Sequence, residues 1–169
     1  MKRAVVFTAV VATAALAAGV SVAGAARAAA WPTPTVTVLT SGLENPRGLT
    51  FGPDGRLYVA EGGAGGTAST IGQCPQVPGA GPYTGGMTAR ISRIDVHTGT
   101  RVTVVDGLPS STTSAAAGGF VSGVGDVAFL GRRLYAVEAG AGCSHGLAGT
   151  GNAIVRGGTQ PPRGRHRHP

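Results

Sequence analysis

Two stretches of this chain repeat one pattern, and that repetition limits the fold more than any other feature. Leu57-Tyr58-Val59-Ala60-Glu61 returns as Leu134-Tyr135-Ala136-Val137-Glu138, each preceded by a phenylalanine (Phe51, Phe129) and a short turn. Val36-Thr37-Val38-Leu39, with Gly42 and Leu43 behind it, returns as Val102-Thr103-Val104-Val105 with Gly107 and Leu108. Asn152-Ala153-Ile154-Val155-Arg156 restarts the segment 89–93. Self-similarity of this kind means stacked units, none of which can bury its apolar face alone.

The units read as strands. The chain carries 30 glycines and 11 prolines, and they cluster between short β-branched runs, as in a turn-rich all-β protein. Gly52-Pro53-Asp54-Gly55 has the residues of a tight turn. No apolar 3.6-residue pattern survives the glycine spacing after residue 30, so no helix is expected there. Strands are predicted over 36–39, 48–51, 57–61, 91–94, 102–105, 126–130, 134–138 and 153–156. A repeated four-strand meander is the blade of a β-propeller. The expected fold is therefore all-β, a partial β-propeller over residues 31–156 with about two four-stranded antiparallel blades. Segment 36–39 is then an outer strand left from ring closure, with the exposed strand 153–156 as its expected partner.

At these residues the chain resembles a known family. Asn45-Pro46-Arg47-Gly48-Leu49, followed by Phe51 and the run from Gly52 through Glu61, looks like secreted actinobacterial and cyanobacterial proteins of the ScyD/ScyE type. The same stretch is similar to NHL-repeat and quinoprotein sugar-dehydrogenase propellers. The resemblance implies a propeller and does not choose an activity. The quinoprotein likeness implies a loop histidine as base, and His145 is the residue so placed. The chain shows no lysine or acidic cluster for a quinone and its calcium, so His145 is expected to be a solvated loop side chain and His97 a turn residue on the opposite face. No catalytic residue and no cofactor are assigned.

Both ends differ from the middle. Lys2 and Arg3 precede an uncharged run to Ala26, and Ala28-Ala29-Ala30 supplies the small residues signal peptidase accepts. Residues 1–30 are expected to be a secretory signal cut between Ala30 and Trp31, leaving an extracellular protein with no stable membrane span. Residues 157–169 hold arginine, histidine, glycine and proline but no aliphatic or aromatic residue. They read as a disordered basic tail, with an out-of-frame end to a truncated propeller as the favoured origin. Of the formal net charge of +7, all but one unit comes from these ends. Arginines and carboxylates nearly balance between 31 and 156, which removes the basic surface a nucleic-acid partner needs.

In a meander the long connections 40–47, 62–88, 106–125 and 139–151 share one face, and the tight turns 52–56, 95–101 and 131–133 share the other. Long loops on a rigid scaffold usually carry function, so the long-loop face is the expected site of an unassigned ligand. Cys74 and Cys143, the 2 cysteines, fall in loops of that face, and an oxidising compartment predicts a disulfide between them. Glu61 and Glu138 end corresponding strands beside the same loops. They are weak metal candidates; the structural alternative pairs them with an arginine such as Arg47 or with backbone amides of the next loop. Open blade edges expose the chain to self-association. Two function classes remain open. One is a secreted, non-catalytic binding or scaffold module. The other is a fragment of a propeller enzyme, a quinone- or metal-dependent oxidoreductase or lyase whose catalytic residues lie in further blades.

Overall fold

The alternating runs become strands because β-branched and aromatic residues recur at period two, and the glycine-rich turns let successive strands fold back antiparallel. The computed structural model describes residues 33–157. The proposed signal with its Ala30–Trp31 cleavage point, and residues 158–169 of the basic tail, lie outside the described residues. The chain forms β1 (Pro46–Phe51), β2 (Leu57–Glu61), β3 (Thr84–Ile94), β4 (Arg101–Thr112), β5 (Val121–Ser122), β6 (Val124–Leu130), β7 (Arg133–Glu138) and β8 (Ala153–Gly157). Its helical content among the described residues is two 3-10 turns, Ala115–Ala117 and Cys143–His145. The protein is all-β.

The strands make a curled five-stranded sheet, order β1-β2-β3-β4-β5, and a three-stranded sheet, order β6-β7-β8. Every pairing is antiparallel. The sheets pack face to face. Tyr58, Ala60, Ala89 and Ile91 of the first meet Val124, Val127, Leu134 and Ala136 of the second in one apolar core, with Val104, Val105, Leu108 and Phe129 around it. The rings of Tyr58 and Phe129 meet edge to face, centroids 4.8 Å apart at 74°. Such a pair adds about 0.5–1.5 kcal/mol beyond its buried area. Gly48 allows β1 to approach β6 this closely, since a Cβ there would lie 1.8 Å from Asp126 Oδ1.

Three expectations are corrected. Residues 36–39 form no strand; no regular structure precedes β1 in the described chain. The backbone of Leu39 instead lies against the turn after β3, where a Cβ on Gly99 would fall 2.1 Å from Leu39 O. The expected pairing of this segment with 153–156 is absent, and β8 pairs with β7 alone. Ladder hydrogen bonds need an in-register edge, and the chain just behind the segment is held on the first sheet instead: Arg101 Nη1 donates to Gly42 O at 2.5 Å, and Glu44 N–H to Glu61 at 2.7 Å.

The second correction concerns the long connections. β3 begins at Thr84 and β4 continues to Thr112, so much of what reads as loop is a ladder extending the hairpin. Backbone approaches that exclude side chains make this extension: a Cβ on Gly66 would sit 2.3 Å from Gly85 O. The third is small. Gly157, read as the start of the tail, is the last residue of β8, paired with Leu134.

Candidate functional site

The connection from β2 to β3 and that from β7 to β8 are bound into one platform. Cys74 and Cys143 form the expected disulfide, joining residues 69 apart in sequence. Beside it Thr70 Oγ1 of the first loop donates to Cys143 O of the second. Each loop is also tied to its own flanks: Ala68 and Gly85 pair reciprocally at 2.9 and 2.8 Å, and Ala141 N–H reaches Asn152 Oδ1 at 3.0 Å. The loop after β4 joins through Ser114 N–H to Ala80 O at 3.1 Å. A surface cross-linked this way is held in one shape before any partner arrives, which lowers the ordering cost of binding.

His145 is not the solvated side chain expected. It is half-buried, its ring tilted on Tyr83 with centroids 4.6 Å apart, and Ser144 Oγ lies 3.2 Å from its Nδ1. Burial pushes its pKa down, so the neutral ring is favoured. His97 is exposed in the β3–β4 turn, as read from the sequence. The platform is also nearly free of charge. Residues 62–89 and 107–125 contain no Asp, Glu, Lys or Arg, and 139–151 hold His145 as their one titratable side chain apart from Cys143. Ile71, Met87 and Phe120 are the large apolar side chains it exposes, at 64%, 50% and 71%. The expectation of a loop face is visible in the sequence; its neutrality was equally visible there, as an absence of charge in three separate segments.

Glu61 and Glu138 do not come together. Glu61 faces away from the second sheet and is fully buried in a network that does not include Arg47. Its carboxylate accepts from Glu44 N–H at 2.7 Å, from Ser92 Oγ, and from Arg90 Nη2 at 3.1 Å, with Arg101 Nη1 at 3.6 Å. Burial alone would raise its pKa; the Glu44 amide, the Ser92 hydroxyl and the Arg90 guanidinium outweigh burial and hold it below the ordinary glutamate range. Arg47 donates to Val121 O instead, tying β1 to β5. Glu138 lies on the opposite side, in the face of β7 turned to the first sheet. Oε1 accepts from Gly140 N–H at 2.7 Å, while the buried Oε2 has no partner among the described residues. Burial pushes this carboxyl up, and the amides of Gly140 and Ala139 offset it only in part. Among the described residues, no group of three or more His, Cys, Asp or Glu is arranged to hold a metal ion.

On the tight-turn face charges alternate and pair. Arg56 lies 3.7 Å from Asp54 and 3.5 Å from Asp95, Arg93 lies 3.9 Å from Asp54, and Tyr58 OH donates to Asp54 at 3.2 Å. The shallow depressions here are lined by these same residues. Partly exposed pairs of this kind contribute little stability each, and they leave the turn side chains occupied with one another. No helix among the described residues is long and apolar enough to cross a membrane. No family model matches the chain, and no curated protein and no solved structure was found to match it.

Proposed function

We propose that this is a secreted β-propeller-type binding module of the ScyD/ScyE kind, without catalytic activity of its own, that presents the disulfide-linked loop platform to an uncharged extracellular partner. The observation that carries this reading is the platform itself: two long connections joined by Cys74–Cys143 and by the Thr70–Cys143 hydrogen bond, and devoid of formal charge. The disulfide belongs to an oxidising compartment and so supports export. The blade assignment is supported by the repeated meander and by the face-to-face packing of the two sheets through β1, β2 and β6. Glu61 and Glu138 serve the interior rather than a ligand, because both carboxylates are almost wholly buried.

Neutral platforms bind through shape, apolar contact and hydrogen bonds, so their affinity changes little with salt. The test is retention of the secreted protein on neutral cell-envelope polysaccharide across a salt series. Retention unchanged from low to high salt, and reduced by Phe120→Ala or Ile71→Ala, is the expected result. Retention that vanishes with salt, or turnover of a sugar in the presence of added calcium and quinone, overturns the reading.

A further inference from the structure

The internal repeat says what should cover the surfaces this molecule leaves bare. In the first sheet, the face bearing Tyr58, Ala60 and Ile91 is closed by β6, whose Phe129 meets Tyr58 and whose Val127 joins the core. The repeat places Tyr135, Val137 and Ile154 at the matching positions of the second sheet. Among the described residues nothing closes them: Val137 is 43% exposed and Ile154 68%, and with Ala128 and Tyr135 they line an open apolar depression. The residues that repeat Phe129 and Val127 are Phe51 and Leu49, on β1. They sit on the face of the first sheet turned away from the second, paired across to Leu57 and Val59, and are 64% and 60% exposed. The molecule therefore carries both halves of its own internal interface a second time, unpartnered, on its two opposite sides.

A third surface follows the same rule. Within the chain, Val105 of β4 lies against the end of β8, where a Cβ on Gly157 would be 3.5 Å from a Val105 methyl. Leu39, which repeats Val105, lies against Gly99 just past the end of β3. Leu39 thus touches the first sheet where its counterpart Val105 touches the second, but among the described residues segment 37–45 has no strand beside it, and Val38 is 83% exposed. β8, meanwhile, has one open edge.

We infer that the partner of these surfaces is a second copy of this chain, docked head to tail. Phe51 and Leu49 of one copy cover Tyr135, Val137 and Ile154 of the other, as Phe129 and Val127 cover Tyr58 and Ile91 within each. Residues 37–39 of the first copy then lie beside the open edge of β8 and complete its sheet as a fourth strand. The contact is heterologous, so repetition closes a ring or propagates as a fibre.

The experiment uses the secreted full chain and light scattering coupled to size exclusion. Wild type should run as a concentration-dependent multiple of the chain mass. Val137→Glu, on one side, and Phe51→Glu, on the other, should each reduce it to a smaller species, while far-UV circular dichroism and the Cys74–Cys143 bond persist. Mixed together, the two variants retain one intact face each and should form a 1:1 dimer that neither forms alone. Val38→Pro, at an exposed position outside any ladder, should weaken assembly because proline cannot donate to an added strand. A wild-type chain that stays monomeric at its solubility limit, its bare faces left to some other partner, overturns the inference. So does a mixture that fails to dimerise, or a result in which Val137→Glu abolishes assembly and Phe51→Glu has no effect, which would mean a two-fold contact through the second sheet alone.

Discussion

Glu138 occupies in the second sheet the position Glu61 occupies in the first, yet the three groups that satisfy Glu61 are each missing at Glu138. Arg90 is replaced by Ala153 and Ser92 by Val155, each at the same register on the neighbouring strand. The Glu44 amide is replaced by Pro109, which has no N–H to give. One carboxylate is therefore a charged, fully partnered element of the fold, and the other a buried acid with an idle oxygen.

For Glu61 the folded pKa lies below its ordinary value of about 4.5, so its stabilisation is present above that pH and is lost as pH falls through the folded value. Glu61→Gln should cost about 1.5–3 kcal/mol at pH 7, because charge-assisted hydrogen bonds to a fully buried carboxylate are lost while the half-buried Arg90 keeps only the exposed Glu44 as counter-charge. Urea unfolding at pH 7 and pH 3 checks this. An equal loss at both would show that the charge contributes nothing.

Glu138 carries the opposite sign. Its folded pKa is raised, so the protein is favoured while the group is protonated in both states and loses stability as pH rises from the ordinary value through the folded one. Glu138→Gln should leave stability unchanged at pH 4 and raise it by about 1 kcal/mol at pH 8. Ala153→Arg, which puts a guanidinium at the register Arg90 holds beside Glu61, should abolish that pH trend. A Glu61→Gln variant equally stable at pH 4 and pH 8 would contradict the assignment.

Removing the disulfide by Cys74→Ala with Cys143→Ala should lower stability by about 3–4 kcal/mol, the scale expected for closing a long loop. The effect should be local first. Amides of 68–85 and 141–150 should exchange faster than those of β2 and β3, and His145 should titrate nearer its ordinary value once its contact with Tyr83 opens. Uniform exchange across the chain would mean that the platform is not held by this bond.

Phe129→Ala tests the joint between the sheets. Loss of its ring from Tyr58 should cost about 3 kcal/mol. The same change at Phe51, which is exposed in the monomer, should cost well under 1 kcal/mol at concentrations where the chain is dissociated. Comparable losses at both positions would break the distinction between covered and bare faces.

For export, protein recovered from the culture medium should begin at Trp31, as Edman degradation or intact mass will read. An intact segment 1–30 on membrane-bound material would refute the cleaved signal.

The strands were legible because their information is local. Alternation at Leu57–Glu61 and across 134–138, the turn at Gly52-Pro53-Asp54-Gly55, and the Phe-to-Glu spacing recur within a few residues of one another. The disulfide was legible too, from the residue type and an inferred compartment. What the sequence left undetermined depends on meetings across the chain. Glycine-rich runs such as 62–66 and 85–86 look like loop, and only their mutual approach makes them backbone-to-backbone contacts that extend β3. Val36-Thr37-Val38-Leu39 has a strand's composition but lies against the turn after β3 and pairs with no strand, so propensity alone could not make it one. The fates of Glu61 and Glu138 were decided the same way. Identical residues at identical ends of a repeat have their acidities shifted in opposite directions because Arg90, Ser92 and Glu44 reach one and not the other, and that is a property of cross-strand register, which exists only once the sheets have formed.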